Sequence, residues 1–224
     1  MSHIVIVGGS AALAQPLYDL WLPRHKITAV CRYEWRYKTD TIKKCKTRAV
    51  SGLKVVTNKN DVRTPIHGLV TLTGSTENKR LPAMDKPSWD GVVEDCLTAP
   101  FQALRYFLPL MAENSNVVIV GSIVGSLGGI GCANYAAAKA GLGGLVHAAA
   151  NEFATRHIHV NLLELGYTNV GMGERLPENL AEKIRATIPL KRFGNGDDFA
   201  LAVDFLMNTK YMTGNTLTLA GGLR

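Results

Sequence analysis

One stretch constrains the fold more than any other part of the chain: Ser122 to Lys139, which reads SIVGSLGGIGCANYAAAK. It follows the apolar run Val117–Val120, whose length and β-branched residues are typical of a buried parallel strand. A glycine-rich loop comes next, and then a helix of small residues that we expect to begin near Asn134. A strand that passes through such a loop into a helix is typical of α/β folds with parallel sheets.

Similar strand-like runs alternate with helical segments along the rest of the chain. This alternation predicts an α/β fold with a doubly wound parallel sheet and helices on both faces. At 224 residues, we expect a single domain over residues 1–224. Hardly any room for a crossover helix remains between Asp61 and the strand at Gly68–Leu72. The other predicted strands are His3–Val7, Ile27–Val30, Leu53–Thr57 and Ile158–Leu163, and the predicted helices include a first one to about Leu22, Glu34–Lys46 and Trp89–Met111.

Composition narrows the class of partners and the compartment. The net charge of +7 favours anionic partners, and much of the excess lies in Arg32–Lys46. That segment fits either a nucleic-acid surface or a solvated helix face, but no nucleic-acid-binding motif is present, so we expect no nucleic-acid partner. No apolar run approaches the ~20 residues that span a membrane, so we expect no membrane association. The four cysteines have no metal-ligand spacing, which predicts no metal site and a reduced, cytoplasmic compartment.

The spacing of Tyr135 and Lys139 indicates acid–base chemistry. Residues four apart on a helix project from the same face. A lysine ammonium near a phenol favours the phenolate, so we expect the Tyr135 pKa to lie below its usual value of ~10. Ser122, at the end of its strand, can reach over the crevice where open α/β sheets bind ligands. The alternative is a surface helix with an ordinary Tyr–Lys pair.

Ser122, Tyr135 thirteen positions later and Lys139 together resemble the catalytic set of the short-chain dehydrogenase/reductase family. The resemblance covers essentially the whole chain, is most specific over Trp89–Gly222, and is closest in pattern to 3-oxoacyl-acyl-carrier-protein reductases. It implies a Rossmann-type sheet of about seven strands. The stretch from Trp89 resembles the family pattern WDxVxxVNLxG, with Cys96 where the family has an asparagine that helps anchor a proton-relay water. Cys96 is therefore a further candidate catalytic residue.

The cofactor residues implied by the resemblance are only partly retained. The first turn resembles the family loop TGxxxGxG, but alanine replaces its second and third glycines, at Ala12 and Ala14. Arg32, after the second strand, suits a ribose 2′-phosphate, so we expect NADP rather than NAD, although the arginine could simply be exposed. The candidate cofactor-binding residues are Gly8, Ser10, Ala12, Leu13, Arg32, Thr73, Gly74, Tyr135, Lys139, Gly166 and Thr168.

The leading interpretation is an NADPH-dependent ketoreductase that reduces a small-molecule or acyl-carrier-bound carbonyl. By the resemblance, Tyr135 donates the proton, Ser122 binds the substrate oxygen, and Lys139 assists Tyr135 and holds the nicotinamide ribose. The segment Gly171–Ile188 reads as a substrate lid. The helix that follows Tyr135 carries more alanine and glycine than one sheet face can cover, which predicts a homo-oligomer, a tetramer or a dimer. Two alternatives stay open: an isomerisation, cyclisation or dehydration that uses the Tyr–Lys pair, and a non-catalytic partner subunit.

Overall fold

Seven parallel strands form one sheet in the order β3-β2-β1-β4-β5-β6-β7. The computed structural model describes residues 2–9, 11–31, 53–56, 58–62 and 64–224, so Ser10, Arg32 and the predicted helix Glu34–Lys46 lie outside the described residues. The strands are His3–Val7 (β1), Lys26–Val30 (β2), Lys54–Val56 (β3), Ile66–Thr71 (β4), Met111–Ser122 (β5), His159–Leu165 (β6) and Thr216–Leu219 (β7). The Rossmann-type, doubly wound sheet of about seven strands is thereby confirmed, whereas the single-domain organisation of residues 1–224 stays a prediction.

The helices cover both faces of this sheet. One face packs mainly against α3 and α5, and the opposite face against α1 and α7, in two separate apolar clusters. Neighbouring residues of β1 show the alternation, because Val5 belongs to the first cluster and Ile6 to the second. The helices are Ala14–Trp21 (α1), Lys86–Val93 (α2), Ala99–Phe107 (α3), Val124–Leu127 (α4), Ala133–Phe153 (α5), Glu178–Thr187 (α6) and Gly196–Asn208 (α7).

The predicted helix Trp89–Met111 is wrong at both ends. It begins three residues earlier, at Lys86, because the Asp85 side chain accepts a hydrogen bond from the Ser88 N–H at 2.9 Å and caps the first turn. It ends at Phe107, and Met111 already belongs to β5. A single 3₁₀ turn over Leu108–Leu110 joins the two elements.

A π-helical turn over Glu94–Thr98 joins α2 to α3. Its last bond runs from the N–H of Ala99 to the carbonyl of Glu94, five residues back. The cause lies in Pro100, whose ring nitrogen has no hydrogen to offer the carbonyl four residues earlier. Proline therefore changes the helix without ending it.

The order of the strands places the ligand crevice beside β1. The chain moves outward from β1 to β2 and β3, and then returns to the other side of β1 with β4. Such a reversal of strand order opens a crevice at the carboxyl ends of the strands. Between β3 and β4, the described residues form only one 3₁₀ turn, Lys59–Asp61, so the missing crossover helix is confirmed for them. No helix of the described ranges is long and apolar enough to cross a membrane.

Candidate active site

Ser122, Tyr135 and Lys139 meet at the carboxyl end of β5. Ser122 is the last residue of that strand, and Tyr135 lies in the first turn of α5. The Ser122 hydroxyl lies near the Tyr135 phenol, and its oxygen accepts the N–H of Val124 at 3.3 Å. Tyr135 and Lys139 are both buried, with the Lys139 nitrogen 5.8 Å from the centroid of the tyrosine ring. The structure therefore brings together the three residues that the sequence pattern predicts.

The expected low pKa of Tyr135 is wrong. Burial raises the pKa of the phenol to about 12, and the hydrogen bond with Ser122 opposes this rise. Burial also lowers the pKa of Lys139, because its ammonium group is removed from water. The spacing of the pair on the helix is right, but the sequence does not show how deeply both groups lie in the protein. Near neutral pH the phenol therefore carries its proton.

Backbone carbonyls hold the side chain of Lys139. Its Nζ donates to the carbonyl of Val120 at 2.9 Å and to that of Thr73 at 3.4 Å. These two acceptors belong to β5 and to the segment after β4, so the lysine links the ends of neighbouring strands. A buried ammonium needs such acceptors, because burial without them costs much of its solvation energy.

Cys96 also lies in this site. It is buried in the π-helical turn, and its Sγ donates to the carbonyl of Ser75 at 3.3 Å. Gly74 separates it from the lysine, since a Cβ placed on Gly74 would lie 3.5 Å from the Cys96 sulfur and 3.6 Å from the Lys139 nitrogen. The structure thus brings Cys96 to the Tyr–Lys pair, and its role in proton transfer stays a prediction.

The first turn after β1 is built by close backbone approach. Gly8 has a φ of +84°, and a Cβ there would lie 3.0 Å from the carbonyl carbon of Leu72. Gly9, which the family loop does not require, has even less room, because its Cβ would lie 2.7 Å from the Tyr18 oxygen. Tyr18 donates from α1 to the Gly9 carbonyl at 2.6 Å. The sequence reasoning missed Gly9 and Tyr18, although the second glycine of the Gly-Gly pair was a visible signal.

The remaining candidate cofactor residues lie along the crevice. Thr73 has a buried hydroxyl that finds no partner among the described residues. Gly166 donates its N–H to the Leu219 carbonyl at 2.9 Å, and the Thr168 hydroxyl donates to the carbonyl of Val170 at 3.1 Å. The first-turn candidates outside the glycine pair are Ala12, which is exposed, and Leu13, which is half-buried.

The beginning of the predicted lid lies close to the first turn. A Cβ placed on Gly171 would lie 3.7 Å from the Ala12 methyl, and Val170 lies near Gly196. The lid segment then contains a 3₁₀ turn, Gly173–Arg175, and the helix α6. Ala12 therefore meets the lid where the family loop has a glycine.

Asn134 is a site residue that the sequence reasoning missed. Its buried side-chain amide donates to the carbonyls of Glu77 and Ser88, at 3.1 and 3.0 Å, and its oxygen accepts the Tyr135 N–H at 2.8 Å. One side chain thus ties the tyrosine to α2 and to the segment after β4. The signal was an asparagine in the first turn of a helix, where its short polar side chain reaches free N–H groups. No group of side chains suited to a metal ion occurs in the described part of the chain.

Comparisons with known proteins agree with this geometry. A family model described as Enoyl-(Acyl carrier protein) reductase matches residues 51–224. Nodulation protein G of Azospirillum brasilense is 36% identical over 163 residues, which cover 71% of this chain and 66% of that protein. The 3-oxoacyl-acyl-carrier-protein reductase FabG of Staphylococcus epidermidis is 38% identical over 159 residues, which cover 69% of this chain and 65% of that protein.

A similar match extends to the FabG of Thermotoga maritima, which is 36% identical over 159 residues, or 69% of this chain and 65% of that protein. The matched segment thus spans slightly less than two thirds of the length of these curated relatives. The family match itself covers most of the chain, including every strand from β3 onward. The chain belongs to the short-chain dehydrogenase/reductase family of oxidoreductases, and within it resembles the 3-oxoacyl-acyl-carrier-protein reductases.

Proposed function

We propose that the chain is an NADPH-dependent ketoreductase that converts a carbonyl into an alcohol. The observation that carries the proposal is the position of the Ser122 and Tyr135 hydroxyls near each other at the carboxyl end of β5, with the buried Lys139 nitrogen 5.8 Å from the tyrosine ring. Two neighbouring hydroxyl groups can both bind one substrate oxygen. Preorganised donors of this kind stabilise the negative charge that develops on a carbonyl oxygen during reduction.

The crevice fits a dinucleotide. A buried hydroxyl without a partner, such as that of Thr73, calls for a ligand or water, and the Gly8 turn brings backbone groups to the start of α1. In this assignment Gly8, Ser10, Ala12 and Leu13 hold the pyrophosphate, Thr73 and Gly74 the adenosine side, Lys139 and Tyr135 the nicotinamide ribose, and Gly166 and Thr168 the nicotinamide. When bound, the cofactor supplies the hydride. The preference for NADP rests on Arg32.

Tyr135 serves as the general acid in this proposal. With a pKa of about 12, its phenol is protonated near neutral pH and has a proton to donate. Ser122 donates a hydrogen bond to the same substrate oxygen, and Lys139 lies beside the ring that becomes negatively charged when the proton leaves. Cys96 lies behind Lys139, and we assign it to the return of a proton to Tyr135, as a weak donor in the place of an asparagine.

The substrate class follows from the relatives. Several of them are named as 3-oxoacyl-acyl-carrier-protein reductases, so we assign an acyl-carrier-bound or small-molecule carbonyl as the substrate. A cytoplasmic location is part of the proposal, and it is supported by the free thiol of Cys132.

A homo-oligomer, a tetramer or a dimer, belongs to the same proposal. The outer side of α5 exposes small residues at helical spacing, including Ala137, Gly141, Gly144 and Ala148. Small side chains allow another helix to approach closely, and oligomers of soluble proteins are mostly symmetric assemblies of one chain.

A second candidate function keeps the Tyr–Lys pair for an isomerisation, cyclisation or dehydration. The position of Ala12 close to the lid at Gly171 favours it, because a methyl group lies where the family loop has a glycine. The family match also begins at residue 51, after the first turn. Both candidates need Tyr135, but only the ketoreductase oxidises NADPH.

The test is direct. The purified full chain is mixed with NADPH or NADH, and binding is measured by calorimetry. Oxidation of NADPH is then followed by absorbance in the presence of an acetoacetyl thioester. We expect NADPH to bind more tightly than NADH and to be oxidised only with the thioester present. Failure to bind NADPH, or binding without oxidation of NADPH with any carbonyl, would favour the second candidate.

A further inference from the structure

Ser75 is held on two sides by consecutive residues of the π-helical turn. Its hydroxyl donates to the Asp95 carboxylate at 2.6 Å, and its carbonyl accepts the Cys96 thiol at 3.3 Å. Both partners are buried, with 6% of Asp95 and none of Cys96 exposed. The segment after β4 is thus held at Ser75 through both the side chain and the backbone of that residue.

The helix sequence explains why two neighbouring residues face the same segment. Pro100 cannot bond to the carbonyl four residues earlier, and the chain widens into a π-helical turn at Glu94–Thr98. Wide turns of this kind occur frequently at functional sites. Here the turn contains both Asp95 and Cys96, and it lies directly beside the candidate active site.

The segment held in this way is the one that supports Lys139. Thr73 gives the lysine a carbonyl acceptor at 3.4 Å, and Gly74 lies between the lysine and Cys96. Ser75 is the next residue, so a shift of its hydroxyl or carbonyl moves the Thr73 carbonyl with it. The hydrogen bond from Ser75 to Asp95 therefore acts on Lys139 through two peptide units.

The sequence supports a specific role for the hydrogen bond between Ser75 and Asp95, because Asp95 departs from the family pattern. The pattern WDxVxxVNLxG has valine where this chain has Asp95, and asparagine where it has Cys96. A valine cannot accept a hydrogen bond from Ser75. Burying a carboxylate is costly unless it is hydrogen-bonded, and the Ser75 hydroxyl meets that need.

We infer that Asp95 and Ser75 form a positioning pair, which holds the segment Thr73–Ser75 against Lys139 and so keeps the lysine in place beside Tyr135. The pair takes over part of the anchoring that an asparagine at position 96 would provide. Neither residue touches the reacting atoms. The inference deepens the proposed function and rests on it for its kinetic tests.

The experiment compares four variants of the full chain. Ser75→Ala removes the donor and Asp95→Val removes the acceptor, whereas Asp95→Asn keeps an oxygen that accepts the Ser75 hydroxyl. Asp90→Asn is the matched control, because it changes an exposed carboxylate of α2 that pairs only at the surface with Lys86. For each variant we measure Tm, the Kd of NADPH, and kcat and KM with NADPH and an acetoacetyl thioester.

We expect Ser75→Ala and Asp95→Val to lower kcat roughly 10- to 100-fold, the range of small misplacements near a reacting centre. NADPH binding weakens as well, because Lys139 holds the ribose. The KM for the thioester changes less than about twofold, because the contacts that bind the thioester in the ground state are kept. Asp95→Asn restores most of the activity. The double variant Ser75→Ala with Asp95→Val loses no more than the worse single variant, since both changes break one interaction.

A purely structural role gives a different result. A lowered Tm with unchanged kcat and NADPH affinity, or additive losses in the double variant, would overturn the inference. If Asp95→Val does not fold, Ser75→Ala and Asp95→Asn decide the question, because they change a single polar group. Asp95→Asn as inactive as Asp95→Val would also count against the pair as a hydrogen-bonded unit.

A measurement that needs no activity separates this inference from the proposed function. Hydrogen–deuterium exchange of the peptide covering residues 73–80 is compared between the wild type and Ser75→Ala, without any ligand. We expect faster exchange in Ser75→Ala than in the wild type, and the same exchange rate in the Asp90→Asn control as in the wild type. If the wild type reduces no carbonyl, the proposed function fails. The exchange experiment still tests the inference in that case, because unchanged exchange in Ser75→Ala would overturn it without any activity measurement.

Discussion

The two ends of the crevice are built in different ways. At the proposed catalytic end, side chains connect separate elements: Asn134 bonds to the carbonyls of Glu77 and Ser88, and Lys139 to those of Val120 and Thr73. At the proposed dinucleotide end, the first turn depends on close backbone approach at Gly8 and Gly9 and on the phenol of Tyr18.

The difference shows which sequence changes each end can accept. A site made of side chains depends on particular residue types, so the pattern of Ser122, Tyr135 and Lys139 can be recognised in the sequence. A turn made of backbone needs its conformation more than particular residues. The turn at Gly8 and Gly9 is present here although alanine stands at positions 12 and 14.

The largest effect should come from the catalytic end. We expect Tyr135→Phe to lower kcat by ~10²–10⁴, the usual contribution of a general acid. Ligand binding and Tm should change little, because the ring and its packing remain. Steady-state kinetics with calorimetry check this. A Tyr135→Phe variant that keeps more than about a tenth of the wild-type rate would refute the assigned role.

The high pKa of Tyr135 should appear in the stability of the fold at alkaline pH. The folded phenol titrates at about 12 and the unfolded one near 10, so its contribution is present below pH 10 and is lost as pH rises through 12. Over that interval the wild type should lose about 2–3 kcal/mol of unfolding free energy relative to Tyr135→Phe, from two units at 1.36 kcal/mol each. Urea unfolding at several pH values measures the difference, and parallel curves for the two proteins would contradict it.

Asn134 tests whether the side-chain network positions the tyrosine. Asn134→Asp keeps the oxygen that accepts the Tyr135 N–H but replaces the two amide donors, so two carbonyls then face a carboxylate. We expect a loss of about 1–3 kcal/mol in unfolding free energy, the cost of unsatisfied buried groups, and a lower kcat. Asn151→Asp, on the exposed side of the same helix, is the control. Equal stability of the two variants would show that the amide is dispensable.

At the proposed dinucleotide end, removing the charge of Arg32 should affect cofactor binding more than removing the methyl group of Ala12. Arg32→Ala should remove ~1–3 kcal/mol of the preference for NADPH over NADH, the scale of a charge-assisted contact. Calorimetric titration with both cofactors gives the value. Equal affinities in the wild type would rule out this role for Arg32.

The smallest effect should come from the first turn. Ala12→Gly removes the methyl that meets Gly171, and we expect tighter NADPH binding, by less than about tenfold, because one methyl group is worth ~0.8 kcal/mol. Tm should change little at this position before α1. Weaker binding would mean that the methyl is part of the binding surface.

Much of the fold could be predicted from the sequence, because buried strands are apolar runs with clear ends. The first strand is confirmed residue by residue, and Tyr135 and Lys139 lie on one face of a helix as their spacing requires. These features depend on local pattern. The start of α2 was missed because the Asp85 cap lies before the pattern that suggested the helix. The π-helical turn was missed because a proline inside a helix can end it, bend it or widen it, and the surroundings decide which.

Features that depend on distant neighbours were beyond the sequence. The pKa of Tyr135 is set by burial against residues from other elements. The shift expected from the nearby lysine in the sequence therefore had the wrong direction. The bond between Ser75 and Asp95 joins residues twenty positions apart. Asp95 departs from the family pattern, yet its partner becomes visible only once β4 and the π-helical turn lie side by side.

The central place of β1 affects the order in which the protein can assemble during synthesis. Of the seven strands of this sheet, β1 is synthesised first, yet one of its edges pairs with β4, where Ile4 lies opposite Gly68. Until that later segment has emerged, one edge of an apolar strand has no partner. Unpaired strand edges promote association between chains, so we expect nascent or truncated chains that end before β4 to depend on chaperones in a way that the complete sheet does not.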